Sequence, residues 1–283
     1  MIDLHSHTNE SDGTFTPLEL VDLAMKLELE ALAISDHDTF AGFDQALPVA
    51  QSRGLDLVCG IELSTRVPGS KIRTVHLLAY FFHAPPPADF RKWLDELIAG
   101  RRDRNRRLIA SLAEQGVNID LAEVEKLGRT LTGRPHFARV LIDKAYVRTY
   151  DEAFRRYLGE LAPTYVERFA PYAVAAIQRV TDAGGLPVLA HPVRLNFTDR
   201  DAEEKFIGGL RDGGLRGIEV FHSDHRPPDV ERYAAIARKF NLAVSGGSDF
   251  HGAVKPRISL GTGYEGNLNI PKSVLEGLRA TAA

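Results

Sequence analysis

Two histidines separated by a single residue follow a short strand-like stretch at the start of the chain. Ile2 and Leu4 alternate with polar residues, which is the period of a β-strand. Because side chains two positions apart on a strand point the same way, His5 and His7 are expected to project together at its end. Two adjacent imidazoles form half of a metal site, and Asp12 can bring a carboxylate to it after a short polar turn.

Further histidines and carboxylates stand at or near the ends of six later apolar runs, each of which predicts a buried strand. Together with those of the opening strand, nine of these polar residues form the candidate set: His5, His7, Asp12, His37, Glu62, His76, His191, Asp249 and His251. Burying three carboxylates without cations would be costly, and metal ions that accept both imidazole and carboxylate ligands remove that cost. The sequence therefore predicts a metal centre at one end of a sheet.

Helix-period segments alternate with these strands, and this alternation predicts a parallel β/α barrel. The first helix start is marked by Thr16 and Glu19, which have the spacing of a capping box, and by Pro17 at the first helical position. Seven strands are predicted, one fewer than the usual eight. In such a barrel the functional site is built at the carboxyl ends of the strands, where the polar residues stand.

Residues 84–180 interrupt this alternation. They begin near three consecutive prolines, and the segments after these prolines have the helix period and are rich in arginine. We therefore predict an α/β fold in two parts, a barrel of residues 1–83 and 181–283 and a helical insertion of residues 84–180. Within the insertion, Pro135 fits the first turn of a helix, and helix starts bind anions through free backbone N–H groups. Arg134 and His136 would add charge and donors there, although an ordinary helix cap with a solvated arginine is the alternative.

The bulk composition argues against several classes of protein. The chain has 283 residues, of which 44% are hydrophobic, and its net charge of -3 provides no general attraction to nucleic acid or membrane surfaces. Cys59 is the single cysteine, which excludes an internal disulfide and a cysteine zinc cluster, and its apolar neighbours predict a buried thiol. No apolar run approaches the roughly 18 residues of a membrane span. A cytoplasmic protein without membrane association is expected, and no stable protein partner is inferred.

In their order along the chain, these motifs resemble those of the PHP family, named for polymerase and histidinol phosphatase. The motifs are His5-x-His7, the turn at Asp12, Ser35-Asp36-His37-Asp38, Gly60-Ile61-Glu62, His76, Ala190-His191-Pro192 and Ser248-Asp249-Phe250-His251. The resemblance implies a distorted (β/α)7 barrel, two to three divalent metals per chain and a phosphoesterase activity. Manganese is the first expectation for the metal, with iron or zinc as alternatives.

The resemblance also implies how the nine ligands divide into three sets. The first set is His5, His7, Glu62 and Asp249, the second is Glu62, His76 and His191, and the third is Asp12, His37 and His251. Six neutral imidazoles and three carboxylates carry a charge of -3, so three divalent ions would give the site a net charge of +3, which favours a phosphate ester over a neutral amide. Water activated by the metals would attack phosphorus without a protein nucleophile, and Glu62, which bridges two metals, would be catalytic.

Within the family, Gly-Arg-Pro-His in a helical insertion resembles a subgroup that acts on nucleotides with phosphates on the ribose. This subgroup includes 3',5'-nucleoside bisphosphate phosphatases and 5' exoribonucleases of short RNA. Arg134 and His136 are then expected to bind substrate, as is Arg194, which closely follows His191. His222 ends the sixth predicted strand and is expected either to bind phosphate or to protonate the leaving group. The expected reaction removes the 3'-phosphate of a nucleoside 3',5'-bisphosphate, with short RNA as a further substrate.

Two other functions and several minor assignments remain open at this point. The alternatives are a histidinol phosphatase and a non-catalytic PHP regulatory module, and the full set of nine ligands speaks against the second. His83 and His225 are expected at the surface. A cluster of arginines would either steer an anionic substrate or form one solvated helix face. Its members are Arg101, Arg102, Arg104, Arg106 and Arg107.

Overall fold

A seven-stranded sheet forms the centre of the computed structural model, which describes residues 1–68, 74–167 and 169–282. The strands are β1 (Ile2–Ser6), β2 (Ala31–Ile34), β3 (Asp56–Thr65), β4 (Val75–Phe81), β5 (Leu186–Leu189), β6 (Gly217–His222) and β7 (Ala243–Gly247). Each strand pairs with the next one along the chain. The His7 N–H donates to the Phe250 carbonyl just beyond β7 at 2.9 Å, which brings β1 beside β7. The sheet is thus a nearly closed barrel, and the predicted α/β barrel is confirmed.

Helices surround this sheet. They are α1 (Pro17–Lys26), α2 (Ala41–Arg53), α3 (Ala88–Glu114), α4 (Leu121–Glu125), α5 (Arg134–Asp143), α6 (Tyr150–Ala153), α7 (Ala173–Asp182), α8 (Arg200–Asp212), α9 (Pro227–Phe240) and α10 (Lys272–Ala282). The predicted capping box of α1 is present, because Thr16 Oγ1 accepts from the Glu19 N–H at 3.2 Å and Glu19 accepts from the Thr16 N–H at 2.8 Å. Among the described residues, no helix is long and apolar enough to span a membrane.

Strand β4 runs against its neighbours, which corrects the expectation of an all-parallel barrel. It pairs antiparallel with both β3 and β5, and Ser64 lies opposite His76. An apolar run has the same period in either direction, so its periodicity carries no information about strand direction. The reversal places the start of β4 at the rim where the parallel strands end, and His76 therefore joins that rim.

Apolar side chains pack into three cores. One lies between the sheet and its covering helices and includes Trp93 and Leu97 from the first half of α3, and Cys59, whose predicted burial is confirmed. The second fills the barrel, where Tyr80 donates its hydroxyl to the Leu4 carbonyl at 2.8 Å. The third joins the second half of α3, around Leu108, to α4, α5 and α6. The 27-residue α3 thus connects the barrel to a separate helical core.

A two-stranded hairpin near the end of the chain was not predicted. It consists of β8 (Ile258–Ser259) and β9 (Gly263–Tyr264), which pair antiparallel. Strands of two residues are too short to show the alternation from which strands are predicted. The hairpin lies in the sequence between the last rim residues and α10.

Candidate metal centre

All nine predicted ligands lie together at one rim of the barrel. They come from the ends of β1, β2, β5 and β7, from within β3 and from the start of β4. All are buried except His37 and His76, which are partly exposed. The structure therefore gathers residues that are up to 246 positions apart in the sequence, from His5 to His251, into one cluster.

Glu62 lies at the centre of this cluster, and its two oxygens face different histidines. Oε1 is 2.8 Å from His76 Nδ1 and 2.8 Å from His191 Nε2. Oε2 is 3.2–3.3 Å from ring nitrogens of His5, His7 and His37. A carboxylate that divides its oxygens between two groups of imidazoles has the arrangement of a bridging ligand.

Asp249 and Asp12 each complete a group of side chains that could hold one ion. Asp249 joins His5, His7 and Glu62, and Asp12 joins His7, His37 and His251. Asp249 Oδ1 is 3.5 Å from His5 Nε2 and 3.3 Å from His7 Nε2, so it shares these histidines with Glu62. Asp12 Oδ1 is 3.2 Å from His251 Nε2 and 3.7 Å from His7 Nδ1. Asp12 Oδ2 is 3.7 Å from His37 Nε2. In each group the ligand atoms lie within 4.8 Å of one another, close enough to share one ion.

The hydrogen bonding and charge of the cluster fit bound cations. His5 Nε2, both ring nitrogens of His7 and His37 Nδ1 are buried without a hydrogen-bond partner, an arrangement that costs free energy unless another group satisfies them. Burial would lower the pKa of His7, but Asp249 and Glu62 raise it to about 9. Burial lowers the pKa of His37 to about 3, which keeps that ring neutral and able to bind a metal. The carboxylates thus attract positive charge to the centre, and divalent ions of the kind that bind imidazole and carboxylate can supply it.

The backbone at the rim is strained at two of the nine residues and closely packed at a third position. His191 has φ +26° and Asp249 has φ +58°, values that cost on the order of 1–3 kcal/mol in residues other than glycine. Gly247 is required where β7 passes β1, because a Cβ atom there would lie 2.3 Å from His5 N. Strain of this kind persists where surrounding contacts hold the chain in place, and it is common at functional sites.

Two buried carboxylates outside the predicted ligand set hold the loops that carry the rim residues. Asp36 accepts from the Thr8 N–H at 2.7 Å, the Thr8 hydroxyl at 2.6 Å and the Ser11 hydroxyl at 2.6 Å, which fixes the turn after β1. Asp3 accepts from the Ser248 N–H at 2.9 Å and the Ser248 hydroxyl at 2.6 Å, which fixes the loop after β7. Their signal in the sequence is a charged residue inside an otherwise apolar stretch.

Glu219, in the middle of β6, is a third such carboxylate, and it reaches two proposed ligands at once. Its Oε1 is 2.9 Å from His5 Nδ1, and its Oε2 accepts from the His191 N–H at 2.6 Å. The first contact favours a proton on His5 Nδ1 and leaves Nε2 free for a metal. Burial raises the pKa of Glu219, and the two N–H donors counter that shift. A glutamate between Ile218 and Val220 in a buried strand is the signal that could have revealed it.

Glu219→Gln is expected to weaken metal binding roughly 10- to 100-fold without unfolding the protein. Glutamine has one acceptor oxygen, and when this accepts from the His191 N–H, its NH2 group faces His5 Nδ1. His5 then carries its proton on Nε2 and loses its metal-binding nitrogen. The measurement is manganese affinity by competition with a chelator, with the melting temperature of the metal-free protein reporting on the fold.

Glu203→Gln provides the control for this prediction. Glu203 lies in α8, is 2% exposed, and contacts the Tyr233 hydroxyl at 2.7 Å and Arg232 at 3.5 Å rather than a proposed ligand. Its substitution makes the same change, from a buried carboxylate to an amide, at a site without proposed ligands. Equal metal affinity in the two variants would contradict the role of Glu219.

A cavity of ≈ 490 Å³ opens from the cluster toward α5 and α6. Asp12, His37 and Glu62 contribute to its wall on the barrel side. Five cationic side chains also line it: Arg101, Arg104, Arg134, Arg194 and Lys255. The volume lies within the range of small-molecule sites, and the cations favour an anionic ligand.

The two predicted substrate residues of the insertion, Arg134 and His136, differ in whether they line the cavity. Arg134 lines the cavity, donates to the Leu158 carbonyl at 3.2 Å and lies 5.8 Å from the Phe154 ring centroid. His136 is buried, and its Nδ1 accepts from the Gly133 N–H at 3.0 Å, which caps α5. Arg134 can therefore meet a ligand in the cavity, whereas contact between His136 and substrate stays a prediction.

Arg194 and His222 both approach Asp249. Arg194 lines the cavity, with Nη1 2.8 Å from Asp249 Oδ2 and Nε donating to Asp224 at 2.7 Å. His222 is fully buried, with Nε2 3.6 Å from Asp249 Oδ2 and Nδ1 accepting from the Asp224 N–H at 3.0 Å. The predicted direction of His222 toward the cluster agrees with these distances. Its contact with substrate stays a prediction.

His225 is buried, and the expectation that it lies at the surface was wrong. The chain turns back after β6, so that the ring packs 4.9 Å from the Tyr233 ring and Nδ1 donates to the Val220 carbonyl at 2.8 Å. His83 is exposed, as predicted. A histidine in a polar stretch does not show from sequence alone whether a turn brings it back to the core.

The arginine cluster of α3 is not one solvated face. Arg101 is buried and its Nε donates to Asp38 at 3.0 Å, and Arg104 is buried as well. Arg102, Arg106 and Arg107 are exposed. The buried pair lines the cavity, so its charge can act on an anionic ligand.

Comparisons with known proteins agree with this geometry. The sequence profile of the PHP domain matches residues 3–164. The 3',5'-nucleoside bisphosphate phosphatase of Chromobacterium violaceum is 34% identical over 252 residues, which cover 88% of this chain and 87% of that protein. The 5'-3' exoribonuclease of Haemophilus influenzae is 32% identical over 249 residues, which cover 88% of this chain and 89% of that protein. A crystal structure from Bifidobacterium adolescentis, described as a candidate metal-dependent phosphoesterase, is similar with a TM-score of 0.85 and 31% identity, covering 100% of this chain and 96% of that one.

Proposed function

The chain belongs to the PHP domain family and is a metal-dependent phosphoesterase, and from its cavity we propose a narrower function. It hydrolyses the 3'-phosphate of a nucleoside 3',5'-bisphosphate and accepts short RNA from the 5' end. The observation that carries this proposal is that Arg134 and Glu62 line the same cavity. One end of the cavity can bind a phosphate for cleavage while the other holds a phosphate that is not cleaved. The relatives from C. violaceum and H. influenzae are named for these two substrate classes.

We assign the nine rim residues to two or three divalent metals, with manganese as the first candidate. The first set is His5, His7, Glu62 and Asp249, the second is Glu62, His76 and His191, and the third is Asp12, His37 and His251. Divalent ions held there would lower the pKa of a water toward neutrality and offset the charge of the phosphate. The division of the Glu62 oxygens between two groups of histidines supports the sharing of this residue between the first two sets.

We assign Arg194 and Lys255 to the binding of the reacting phosphate. Both contact Asp249 Oδ2, at 2.8 and 2.6 Å, and both line the cavity. A guanidinium binds two phosphate oxygens at once, and an ammonium group acts as a point charge. These two cations hold the reacting phosphate beside the rim and stabilise the charge on its oxygens as the ester bond breaks.

Within residues 84–180, the second half of α3 together with α4, α5 and α6 serves in this proposal as a cap that recognises the rest of the substrate. Their separate core positions α5, whose start lies at the cavity. Arg134 would bind the 5'-phosphate, and its partial burial makes this contact stronger than one at a fully exposed surface. A substrate that reaches both the rim and α5 needs two anionic groups, which a nucleoside bisphosphate has.

Arg134→Ala is expected to lower efficiency selectively on substrates with two phosphates. A charge-assisted hydrogen bond to phosphate contributes roughly 1.5–3 kcal/mol, and its loss corresponds to about a 10- to 150-fold drop in kcat/KM. An aryl phosphate has no second phosphate to lose, so its hydrolysis should change little. The measurement is the ratio of kcat/KM on adenosine 3',5'-bisphosphate to kcat/KM on an aryl phosphate.

Arg139→Ala is the matched control, since Arg139 lies in the same helix and pairs with Asp143 at 3.0 Å on the exposed side. Its ratio should equal that of the unmodified protein. An unchanged ratio in Arg134→Ala would make Arg134 a structural residue of α5. The alternative function, that of a histidinol phosphatase, would then be favoured over the hydrolysis of a nucleotide.

A further inference from the structure

A second groove adjoins the active-site cavity across a single ion pair. Arg194 lines the cavity, whereas Asp224, to which Arg194 donates at 2.7 Å, lines an open groove of ≈ 960 Å³. Arg194 also contacts Asp249 at 2.8 Å. The groove therefore begins two side chains away from a proposed metal ligand.

The groove has the side chains of a site for single-stranded nucleic acid. Tyr264 of β9 lines it with a partly exposed ring, and the Arg257 guanidinium lies 5.6 Å from that ring's centroid. Arg226 and Asn269 line it with an exposed cation and an exposed amide. Stacking of bases on aromatic rings, with cations beside the phosphates, binds single strands with little sequence preference. The exposed contact of Arg257 with Glu265 at 3.5 Å is of a kind that contributes little, so a phosphate can replace it.

The hairpin that carries Tyr264 is held in place beside the ion pair. Gly263 has φ +69°, and a Cβ atom there would lie 2.3 Å from Asn267 Oδ1. Asn267 donates through Nδ2 to the Ser223 carbonyl at 2.8 Å, which ties the hairpin to the loop after β6. The ring is thus fixed relative to Asp224, the next residue of that loop.

We propose that this groove binds the nucleotides that follow the cleaved phosphate in a short RNA chain. The inference rests on the proposed function, in which the first nucleotide occupies the cavity with its 5'-phosphate at Arg134. The groove is larger than that cavity, so it has room for at least one further nucleotide. Of its carboxylates, Asp224 is paired with Arg194 and Glu231 is exposed to solvent, so neither leaves an uncompensated buried charge against the RNA backbone.

In the proposed reaction, each hydrolysis involves both the cavity and the groove. The oxygen of water bonds to phosphorus, the bond from phosphorus to O3' breaks, and O3' takes a proton. The products are a 5'-mononucleotide and an RNA that is one nucleotide shorter and carries the phosphate at its new 5' end. This shortened RNA has the 5'-phosphate that the cavity binds, so it is a substrate for the next cycle.

The test compares two substrates, adenosine 3',5'-bisphosphate and a 5'-phosphorylated triadenylate, by the ratio of kcat/KM on the trinucleotide to kcat/KM on the bisphosphate. Tyr264→Ala is expected to lower this ratio by roughly 5- to 150-fold, the range of one lost base stack. Tyr264→Phe keeps the ring and should keep the ratio. Arg257→Glu, at a side chain that is 75% exposed, should lower the ratio about fivefold at low ionic strength and less at high salt.

Arg211→Ala is the matched control, because Arg211 lies 5.5 Å from the Phe240 ring centroid in the same kind of contact, outside the groove. Its ratio should not change. Unchanged ratios in Tyr264→Ala and Arg257→Glu would overturn the proposal that the groove binds RNA. That result would leave the proposed function standing. Hydrolysis of the bisphosphate but not of the trinucleotide by the unmodified protein would overturn the groove proposal and the short-RNA part of the proposed function, and would leave only the hydrolysis of the bisphosphate. If the unmodified protein hydrolyses neither substrate, both the proposed function and the groove proposal are wrong.

Discussion

Glu62→Gln is expected to lower turnover roughly 100- to 1,000-fold while the protein stays folded. Glu62 offers Oε1 to His76 and His191 and Oε2 to three other histidines. Glutamine has a single acceptor oxygen, so one of the two groups would face an NH2 group that cannot bind a metal. The measurements are turnover on adenosine 3',5'-bisphosphate and metal content per chain.

The control for this substitution is again Glu203→Gln, since this buried carboxylate contacts Tyr233 and Arg232 rather than the rim residues, and its loss should leave turnover unchanged. Near-normal turnover of Glu62→Gln with its metals bound would show that Glu62 does not bridge. Loss of turnover in both variants would point to a general effect of removing buried charge, and the assignment would fail.

Removal of the metals is expected to abolish phosphate release and to lower the melting temperature. A single site at a thousandfold excess of metal over its Kd stabilises the folded state by roughly 4 kcal/mol. At about 2–4 °C per kcal/mol for a chain of this size class, the metal-free protein should melt about 8–16 °C lower. The physical reason is that buried Asp12, Glu62 and Asp249 lose the cations that compensate their charge. The measurement is a thermal melt with and without chelator.

A chelator saturated beforehand with manganese serves as the control, because it adds the same molecule without removing metal. It should change neither the melting temperature nor the activity. Equal melting temperatures of the metal-free and metal-loaded protein would mean that the rim carboxylates are compensated by protonated histidines alone, as the raised pKa of His7 permits in the absence of metal.

The gathering of the nine residues at one rim could be predicted in part, because strand ends are visible in short stretches of sequence. The spacing of His5 and His7 indicates one face of a strand, and the apolar runs before His37 and Glu62 indicate buried strands whose ends meet. The resemblance to a known family then gave the order of the remaining ligands. The structure gathers all nine at one rim, in agreement with that prediction.

Features that depend on distant contacts could not be predicted in the same way. The reversal of β4 leaves its apolar period unchanged, so only the pairing shows that the start of this strand, with His76, lies at the rim. Glu219 is 214 positions from His5, and only the closed barrel brings them to 2.9 Å. The burial of Arg101 likewise depends on Asp38, which lies 63 positions away. A single sequence shows that such charges exist but not which partner each one has.

Titration of manganese into the metal-free protein, with phosphate release from adenosine 3',5'-bisphosphate as the readout, tests the central claim most directly. Because Glu62 is proposed to bridge two ions, activity should stay near zero until more than one equivalent per chain is bound. It should then rise to a plateau at two or three equivalents, with adenosine 5'-phosphate as the product. Full activity with chelator present, or a plateau at one equivalent, would contradict a shared metal centre at this rim.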